Sequence, residues 1–262
     1  MPELRAHASR RLRPVRPLVV DSLEVSHGRV TAVTQLSFAV EPGLIHGVLG
    51  PNGCGKTSTL RAVVGLLRPQ AGSIAVNGVE QPAISARAQV AYVPDEPDGL
   101  GELCPGELFA LMRALYRADP GYEARAHTLV HAFDFTACLQ TRLDALSHGR
   151  RRVASMIAAF ALARPLVVVD EATAALDPEA VVVLRDVLRV LAQRGAGVLV
   201  ATQDLGFAEQ ICDDVVLLSS GRSVAAGTVA EICGGLPLEQ AFLRAVGSQA
   251  RIQEARRELV AL

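Results

Sequence analysis

The sequence predicts an α/β protein with a mostly parallel sheet, an N-terminal antiparallel β-subdomain and an inserted helical subdomain. Three observations lead to this prediction. A glycine-rich turn, residues 50–58, joins a short apolar run to a stretch with helical apolar spacing. After residue 163, apolar strand-like segments alternate with helical ones, which is typical of a parallel sheet covered on both faces. An Asn77-Gly78 pair indicates a hairpin turn in the first third.

The glycine-rich turn fits the phosphate-binding pattern G-x-x-x-x-G-K-[ST]. Residues 44–49 before it predict a buried strand, and residues 59–67 after it predict a helix. This order aims successive N–H groups and the positive end of the helix dipole at one point. The predicted phosphate-binding residues are Gly50, Pro51, Asn52, Gly53, Cys54, Gly55, Lys56, Thr57 and Ser58. The chain therefore carries the core motif of a P-loop NTPase.

Lys56 is the only lysine in the chain. A compact ammonium fits among phosphate oxygens where a planar guanidinium does not. Lys56 is predicted to reach the β- and γ-phosphates, and the Thr57 hydroxyl to bind Mg²⁺. Cys54 lies at a helix N-terminus, which favours a thiolate, so a reactive thiol is predicted there.

The composition argues against several classes of protein. A net charge of −1 lacks the basic excess of a nucleic-acid binder. Five cysteines without C-x-x-C spacing indicate buried thiols in a reducing compartment, with Cys54 as the exception. The longest apolar run, residues 153–169, is broken by Arg164-Pro165, so no membrane span is predicted. Residues 1–17 are predicted to be a disordered basic tail, with contact to anionic lipid as the alternative.

Taken in order, the chain divides into strand-rich and helix-rich parts. Predicted strands cover 18–25, 30–40, 44–49, 73–78, 89–93, 166–170, 197–201 and 215–218. Predicted helices cover 59–67, 106–117, 122–133, 150–163 and 178–193, with two or three more in 228–262. We predict one ATPase domain over 18–227, a helical subdomain inserted at about 98–163, and a helical extension over 228–262.

A pair of acids follows the apolar segment 166–169. Asp170 ends this predicted strand, and open α/β sheets bind ligands at the carboxyl ends of their strands. Asp170 can there hold Mg²⁺ directly or through water, and Glu171 can orient and deprotonate an attacking water. A polyphosphate with Mg²⁺ is therefore the predicted ligand.

Over residues 18–225 the chain resembles the nucleotide-binding subunits of ATP-binding cassette (ABC) transporters, in particular those of the multidrug and antibiotic export type. The matching segments are 50–58 (Walker A), 93–95 (Q-loop), 146–150 (signature), 166–171 (Walker B with the catalytic glutamate), 174–177 (D-loop) and 202–204 (switch segment). His27 matches the position where family members stack an aromatic side chain on adenine.

The resemblance implies that two cassettes close around two ATP molecules, as a homodimer or a heterodimer. Ser147, Gly149 and Asp177 are then nucleotide-binding residues, with Ser147 and Gly149 facing the partner's γ-phosphate. Integral-membrane subunits would contact the region 95–150, which places the chain in the cytoplasm at the inner face of the membrane. No nucleic-acid partner is implied.

The chain departs from the family pattern at four positions. Gln203 replaces the switch histidine and Asp95 the Q-loop glutamine, where its carboxylate can still face Mg²⁺ through water. His148 and Arg150 replace a glycine and the glutamine of the signature. Gln203 remains a candidate catalytic residue, but it cannot carry charge. Arginines 150–152 are expected to face nucleotide and solvent.

Two functions remain open at this point. One is an ATPase that drives transport, and analogy alone favours export over import. The other is a degenerate, weakly hydrolysing cassette that acts as an ATP-dependent clamp or as the regulatory partner of a competent cassette. Slow hydrolysis is a hypothesis that follows from Gln203, whereas Glu171 could also suffice for the chemistry.

Overall fold

The computed structural model describes residues 15–96 and 99–248. The strands in these ranges form two sheets. The strands are β1 (Leu18–His27), β2 (Val30–Val40), β3 (Ile45–Leu49), β4 (Ala71–Val76), β5 (Val79–Glu80), β6 (Val90–Val93), β7 (Leu166–Val169), β8 (Gly197–Thr202), β9 (Asp214–Ser219) and β10 (Arg222–Thr228). The predicted basic tail, apart from residues 15–17, lies outside the described residues, as does the end of the predicted C-terminal extension.

The helices flank the two sheets. They are α1 (Lys56–Val63), α2 (Ile84–Arg87), α3 (Pro105–Leu115), α4 (Tyr122–Ala132), α5 (His148–Phe160), α6 (Pro178–Gln193), α7 (Leu205–Ile211), α8 (Val229–Cys233) and α9 (Leu238–Ala245). The block α3–α5 stands between β6 and β7 in the chain, as the insertion predicted from the sequence. Predicted helix 150–163 in fact begins two residues earlier, because the Ser147 hydroxyl caps α5 by accepting a hydrogen bond from the Arg150 N–H.

The smaller sheet is antiparallel, with strand order β2-β1-β4-β5. The predicted Asn77-Gly78 turn joins β4 to β5, which confirms the hairpin in this part of the chain. Positive φ angles of 47° at Asn77 and 79° at Gly78 suit these two residue types. The antiparallel subdomain therefore follows from local turn chemistry.

The larger sheet has the order β10-β9-β3-β8-β7-β6, and every pair except β10 with β9 is parallel. Strand β3 therefore lies in the middle, and only β8 separates it from β7. The glycine-rich turn leaves β3 and the acids leave β7 at the same edge of the sheet. The fold brings these two segments together across the end of β8.

Both faces of the larger sheet are covered. Along β7, Val167 and Val169 belong to a core shared with α5 and α6, whereas Leu166 and Val168 face a second core shared with α1 and the antiparallel sheet. This two-sided burial explains why β7 is apolar at every position instead of alternating. Strand β10 was missed because its residues are mostly exposed and include two alanines and a glycine.

His46 is a buried polar residue within β3. Its side chain is 6 % exposed, and its ring stacks on Phe38 with centroids 5.0 Å apart. Neither ring nitrogen has a hydrogen-bond partner among the described residues. Burial lowers the pKa of His46 from 6.5 to about 4, because a charged imidazolium cannot be solvated there.

We expect His46 to make the fold sensitive to mild acid. Between pH 6.5 and 4 the unfolded chain protonates this imidazole and the folded chain does not, so its contribution to stability falls as the pH falls. The free energy of unfolding falls by about 2 kcal/mol at pH 5, and this effect of His46 vanishes above pH 7. Denaturant unfolding of wild type and His46→Phe at pH 7.5 and pH 5 measures it, because Phe keeps the stacking surface without titrating. An equal loss in both proteins on acidification would contradict the assignment.

Candidate functional site

A cleft of about 720 Å³ opens where β3 and β7 end. Its walls contain residues from the glycine-rich turn, from the start of α1, from the end of β1 and from the segments after β6 and β7. The predicted site residues that line it are His27, Asn52, Gly53, Gly55, Lys56, Thr57, Ser58, Asp95 and Glu171. The structure therefore brings most of the predicted phosphate and metal site into one cavity.

The glycines of the turn are required by close backbone contacts. A Cβ on Gly50 would lie 2.3 Å from the carbonyl oxygen of Leu218, and one on Gly55 would lie 2.5 Å from that of Ala32. Gly55 also has a φ of 109°, which favours glycine. Any side chain at these two positions would push the turn away from the sheet, so the N–H groups at the start of α1 depend on both glycines.

Lys56 is 4 % exposed and folds over the turn. Its Nζ donates to the carbonyl oxygens of Gly50, at 2.9 Å, and Pro51, at 3.2 Å. It also forms an ion pair with Glu171, with Nζ 3.0 Å from Oε1. An ammonium has three donors, and all three have partners here. Phosphate oxygens that enter the cleft can replace these partners.

Thr57 and Asp170 meet at the base of the cleft. The Thr57 hydroxyl donates to Asp170 Oδ1 at 3.3 Å. Asp170 is fully buried, and its Oδ2 accepts no hydrogen bond from the described residues. Burial is the main cause that raises the pKa of Asp170 to about 6; the charges of Asp95 and Glu171 add to it, while Thr57 and Lys56 oppose it.

These oxygens suit a hard divalent cation. A buried carboxylate oxygen without a partner, beside a hydroxyl, has the chemistry that Mg²⁺ prefers. A cation would also compensate the carboxylates of Asp95 and Glu171 nearby. The residues present therefore fit Mg²⁺.

Glu171 follows β7 directly and has a φ of 45°, in the left-handed region that few non-glycine residues adopt. This conformation turns its carboxylate into the cleft, where its side chain is 14 % exposed. Backbone strain of this kind persists where the surrounding structure enforces it. Here a buried arginine donates hydrogen bonds to the backbone oxygens of Asp170 and Glu171.

That arginine is Arg152, and the prediction that it faces nucleotide or solvent is wrong. Its side chain is fully buried. Nη1 donates to the backbone oxygen of Asp95 at 2.5 Å and to its carboxylate at 3.0 Å. Nη2 donates to the backbone oxygens of Asp170, at 2.9 Å, and Glu171, at 2.6 Å. Arg152 therefore ties α5 to the Q-loop and to the segment after β7.

The sequence did contain a signal for this burial. Arg152, Met156 and Ala159 are spaced i, i+4 and i+7, and all three lie on the buried face of α5. Arg150 also has a contact within the chain, since its Nη1 donates to the Asp134 backbone oxygen at 3.0 Å, just after α4 ends.

The prediction of a reactive Cys54 is also wrong. The side chain is 3 % exposed and packs beneath the turn, within the core that α1 shares with the antiparallel sheet. Burial raises the pKa of this thiol above its ordinary value, although the Lys56 charge opposes the shift. Desolvation therefore outweighs the helix terminus that favoured a thiolate.

The signature and D-loop residues form a second pocket. Ser147, Gly149 and Asp177 line a cavity of about 310 Å³ that does not include the residues of the glycine-rich turn. A Cβ on Gly149 would lie 2.3 Å from the Ala175 backbone oxygen. The first turn of α5 and the D-loop are therefore in direct backbone contact. Ala175 has a φ of 58°, a second left-handed residue in this segment.

Gln203 follows β8 and is exposed. Within the described residues it lines neither of these two pockets and makes no hydrogen bond through its side chain. Its neighbour Asp204 caps α7 by accepting the Phe207 N–H at 2.9 Å. The structure therefore does not place Gln203 among the residues that line the cleft with Glu171.

Sequence reasoning missed part of the cleft wall. Ser220 and Gly221, in the turn between β9 and β10, line it together with Ala32. The Gly221 N–H donates to the Cys54 oxygen at 3.1 Å, and the Gly221 oxygen accepts from the Thr34 N–H at 2.8 Å. This turn links the glycine-rich loop to the antiparallel sheet. The Ser220-Gly221 pair does indicate a turn, but because β10 was not predicted, this turn was not expected to join two strands.

A family model described as ABC transporter matches residues 33–174. The lipopolysaccharide export system ATP-binding protein LptB of Acidithiobacillus ferridurans is 30 % identical, over 86 % of this chain and 96 % of its own length. This chain belongs to the ABC transporter ATP-binding proteins.

Other ABC proteins are similar over most of the chain. The Nod factor export ATP-binding protein I of Burkholderia lata is 34 % identical over 82 % of this chain and 71 % of its own. The daunorubicin/doxorubicin resistance ATP-binding protein DrrA of Streptomyces peucetius is 31 % identical over 93 % of this chain and 75 % of its own.

A solved ATP-binding subunit of an ABC transporter has the same fold. It superposes with a TM-score of 0.82 at 30 % identity, over 87 % of this chain and 99 % of the other. This likeness confirms the predicted fold class and the predicted family. The protein is an ATP-binding subunit of an ABC transporter, a family whose members act as ATPases together with membrane subunits. None of the described helices is both long and apolar enough to cross a membrane.

Proposed function

We propose that this ABC protein binds and hydrolyses MgATP in a cassette dimer and thereby drives export through separate membrane subunits. One observation carries the proposal: Lys56 and Thr57, at the start of α1, face Asp170 and Glu171 across one cleft. Lys56 lies within 3.0 Å of Glu171, and Thr57 within 3.3 Å of Asp170. This arrangement combines a phosphate cradle, a metal site and a general base.

Thr57 and Asp170 would hold Mg²⁺, with Asp95 reaching it through water. When bound there, Mg²⁺ would supply positive charge that neutralises the β- and γ-phosphates. Lys56 exchanges the Gly50, Pro51 and Glu171 oxygens for phosphate oxygens when the nucleotide enters. Glu171 then loses its ion-pair partner and can accept a proton from the attacking water.

The second pocket supports a dimer. Ser147, Gly149 and Asp177 lie apart from Lys56 within one chain, so a second cassette is needed to bring such a set to the γ-phosphate. The N-terminus of α5, a helix of 13 residues, offers N–H groups for that contact. The partner in such a dimer is either a second copy of this chain or a different cassette.

The names of relatives support export and a membrane location. Similar chains are named for Nod factor export, lipopolysaccharide export and daunorubicin resistance. A cavity of about 400 Å³ on the helical block, lined by Leu100, Leu108, His148 and Arg151 among others, offers a surface for membrane subunits. We place the protein in the cytoplasm at the inner face of the membrane.

The direct test is Mg²⁺-dependent phosphate release from ATP by the purified chain. It is then repeated after reconstitution with a candidate membrane subunit. We expect hydrolysis that requires Mg²⁺ and increases with the membrane subunit. Nucleotide binding without hydrolysis in either setting would favour the degenerate cassette, an ATP-dependent clamp or a regulatory partner.

Glutamine in place of the switch histidine favours slow hydrolysis, because an amide cannot carry charge, and this hypothesis is testable. A charge-stabilising contact in the transition state is worth about 3 kcal/mol, or a factor of about one hundred. We expect Gln203→His to raise the rate of phosphate release at least tenfold at an unchanged ATP affinity. Gln203→Asn, which cannot carry charge either, is the control. Hydrolysis at an ordinary rate that Gln203→His leaves unchanged would remove the hypothesis and leave Glu171 sufficient.

A further inference from the structure

His27 and Ser58 meet at the mouth of the nucleotide cleft. His27 is the last residue of β1 and is exposed, while Ser58 lies in the first turn of α1 directly after Thr57. Nε2 of His27 is 2.9 Å from Oγ of Ser58, which is a hydrogen-bond distance. Both side chains line the cleft together with Lys56.

We propose that His27 is a positioning residue for Ser58, and that through Ser58 it contributes to phosphate binding. This role is separate from the stacking on adenine that the family resemblance implies. It rests on the proposed function, because it assumes that the cleft takes the phosphates of a nucleotide.

The chemistry follows from the number of protons available. A serine hydroxyl has one proton and two lone pairs. To donate that proton to a phosphate oxygen, Ser58 must use its oxygen as an acceptor toward His27. An imidazole with its proton on Nε2 is the matching donor. The chain His27 N–H to Ser58 O–H to phosphate then fixes the hydroxyl rotamer and polarises the O–H bond.

The location of the pair favours a role in binding over a role in folding. His27 is exposed and Ser58 only partly buried, so the bond between them adds little to the stability of the fold. Ser58 stands within the first turn of α1, where N–H groups and the helix dipole already face the cleft. A hydroxyl held there adds one more donor to the phosphate cradle.

Magnesium tripolyphosphate separates the positioning of Ser58 from the stacking of His27 on adenine, because it has phosphates but no base. We would measure its binding by calorimetry to wild type and three single variants. His27→Phe keeps an aromatic face and loses the donor. His27→Gln loses the face but keeps an N–H donor of similar reach, and Ser58→Ala removes the hydroxyl. Thermal unfolding of each variant checks that the fold is intact.

We expect His27→Phe and Ser58→Ala each to weaken tripolyphosphate binding about fivefold, as for one hydrogen bond. His27→Gln should bind like wild type. The double variant His27→Phe/Ser58→Ala should bind no more weakly than Ser58→Ala, because both changes break the same chain of hydrogen bonds. The same cycle with MgATP should show the same coupling.

Two results overturn the inference alone: wild-type tripolyphosphate binding in His27→Phe, or a double variant whose loss equals the product of the single losses. In both cases wild type still binds MgATP, so the proposed function stands. Wild type that binds neither MgATP nor magnesium tripolyphosphate would overturn the proposed function, and this inference with it.

Discussion

Glu171→Gln is expected to lower the rate of ATP hydrolysis by a factor of 10² to 10⁴, in the range found for general bases. Glu171 is the carboxylate that lies in the cleft beside Lys56, and an amide cannot accept the proton of water. Phosphate release under saturating MgATP measures the effect.

The same variant should bind MgATP at least as tightly as wild type. Lys56, Thr57 and Asp170 are unchanged, and Lys56 no longer has an ion pair to break before it reaches the phosphates. Binding calorimetry tests this, and sedimentation with ATP should show dimers that persist because hydrolysis no longer separates them. Glu80→Gln, at an exposed position on β5, is the control. A Glu171→Gln protein with more than a tenth of the wild-type rate would contradict the role of Glu171.

Arg152→Met is expected to destabilise the protein by about 3–5 kcal/mol, because it removes a fully buried guanidinium whose hydrogen bonds to backbone oxygens contribute about 1.5–3 kcal/mol each. The change leaves the backbone oxygens of Asp170 and Glu171 without their donors. It also leaves the Asp95 carboxylate without its cation. Methionine fills much of the space of the arginine side chain, so the loss of stability comes from hydrogen bonds and charge more than from a cavity. Denaturant unfolding at pH 7.5 measures it.

Two further variants make this result specific. Arg151→Met changes the next residue, which is half-buried and makes no hydrogen bond or ion pair through its side chain to the described residues. It should change stability by less than about 1 kcal/mol. Arg152→Lys keeps the charge but has no planar fork to reach both pairs of oxygens, so it should recover only part of the stability. Equal stability of wild type and Arg152→Met would show that the network is dispensable.

The sequence was informative where local chemistry decides structure. The glycine-rich turn could be placed between β3 and α1 because glycine, lysine and threonine are required there in a fixed order. The position of Asp170 followed from an apolar strand that ends in an acid. That the two segments share one edge of the sheet also followed, because parallel strands bring their carboxyl ends to one edge.

The remaining errors have one physical cause: burial depends on the tertiary fold. Arg152 is charged and stands in a run of three arginines, so composition indicates solvent, yet α5 turns it inward to carbonyl groups. Cys54 lies at a helix N-terminus, yet it faces the core. The ion pair of Lys56 with Glu171, and the bond of His27 to Ser58, join residues that are distant along the chain and could not be read from their spacing.

Calorimetry with MgATP on wild type and Lys56→Ala, with and without excess EDTA, tests the central claim most directly. Circular dichroism confirms that the variant is folded. We expect magnesium-dependent binding of one ATP per wild-type chain and an affinity at least tenfold weaker in Lys56→Ala, since a hydrogen bond to a charged group contributes about 1.5–3 kcal/mol. Wild type that takes up no nucleotide with Mg²⁺, or Lys56→Ala that binds as tightly as wild type, would contradict it.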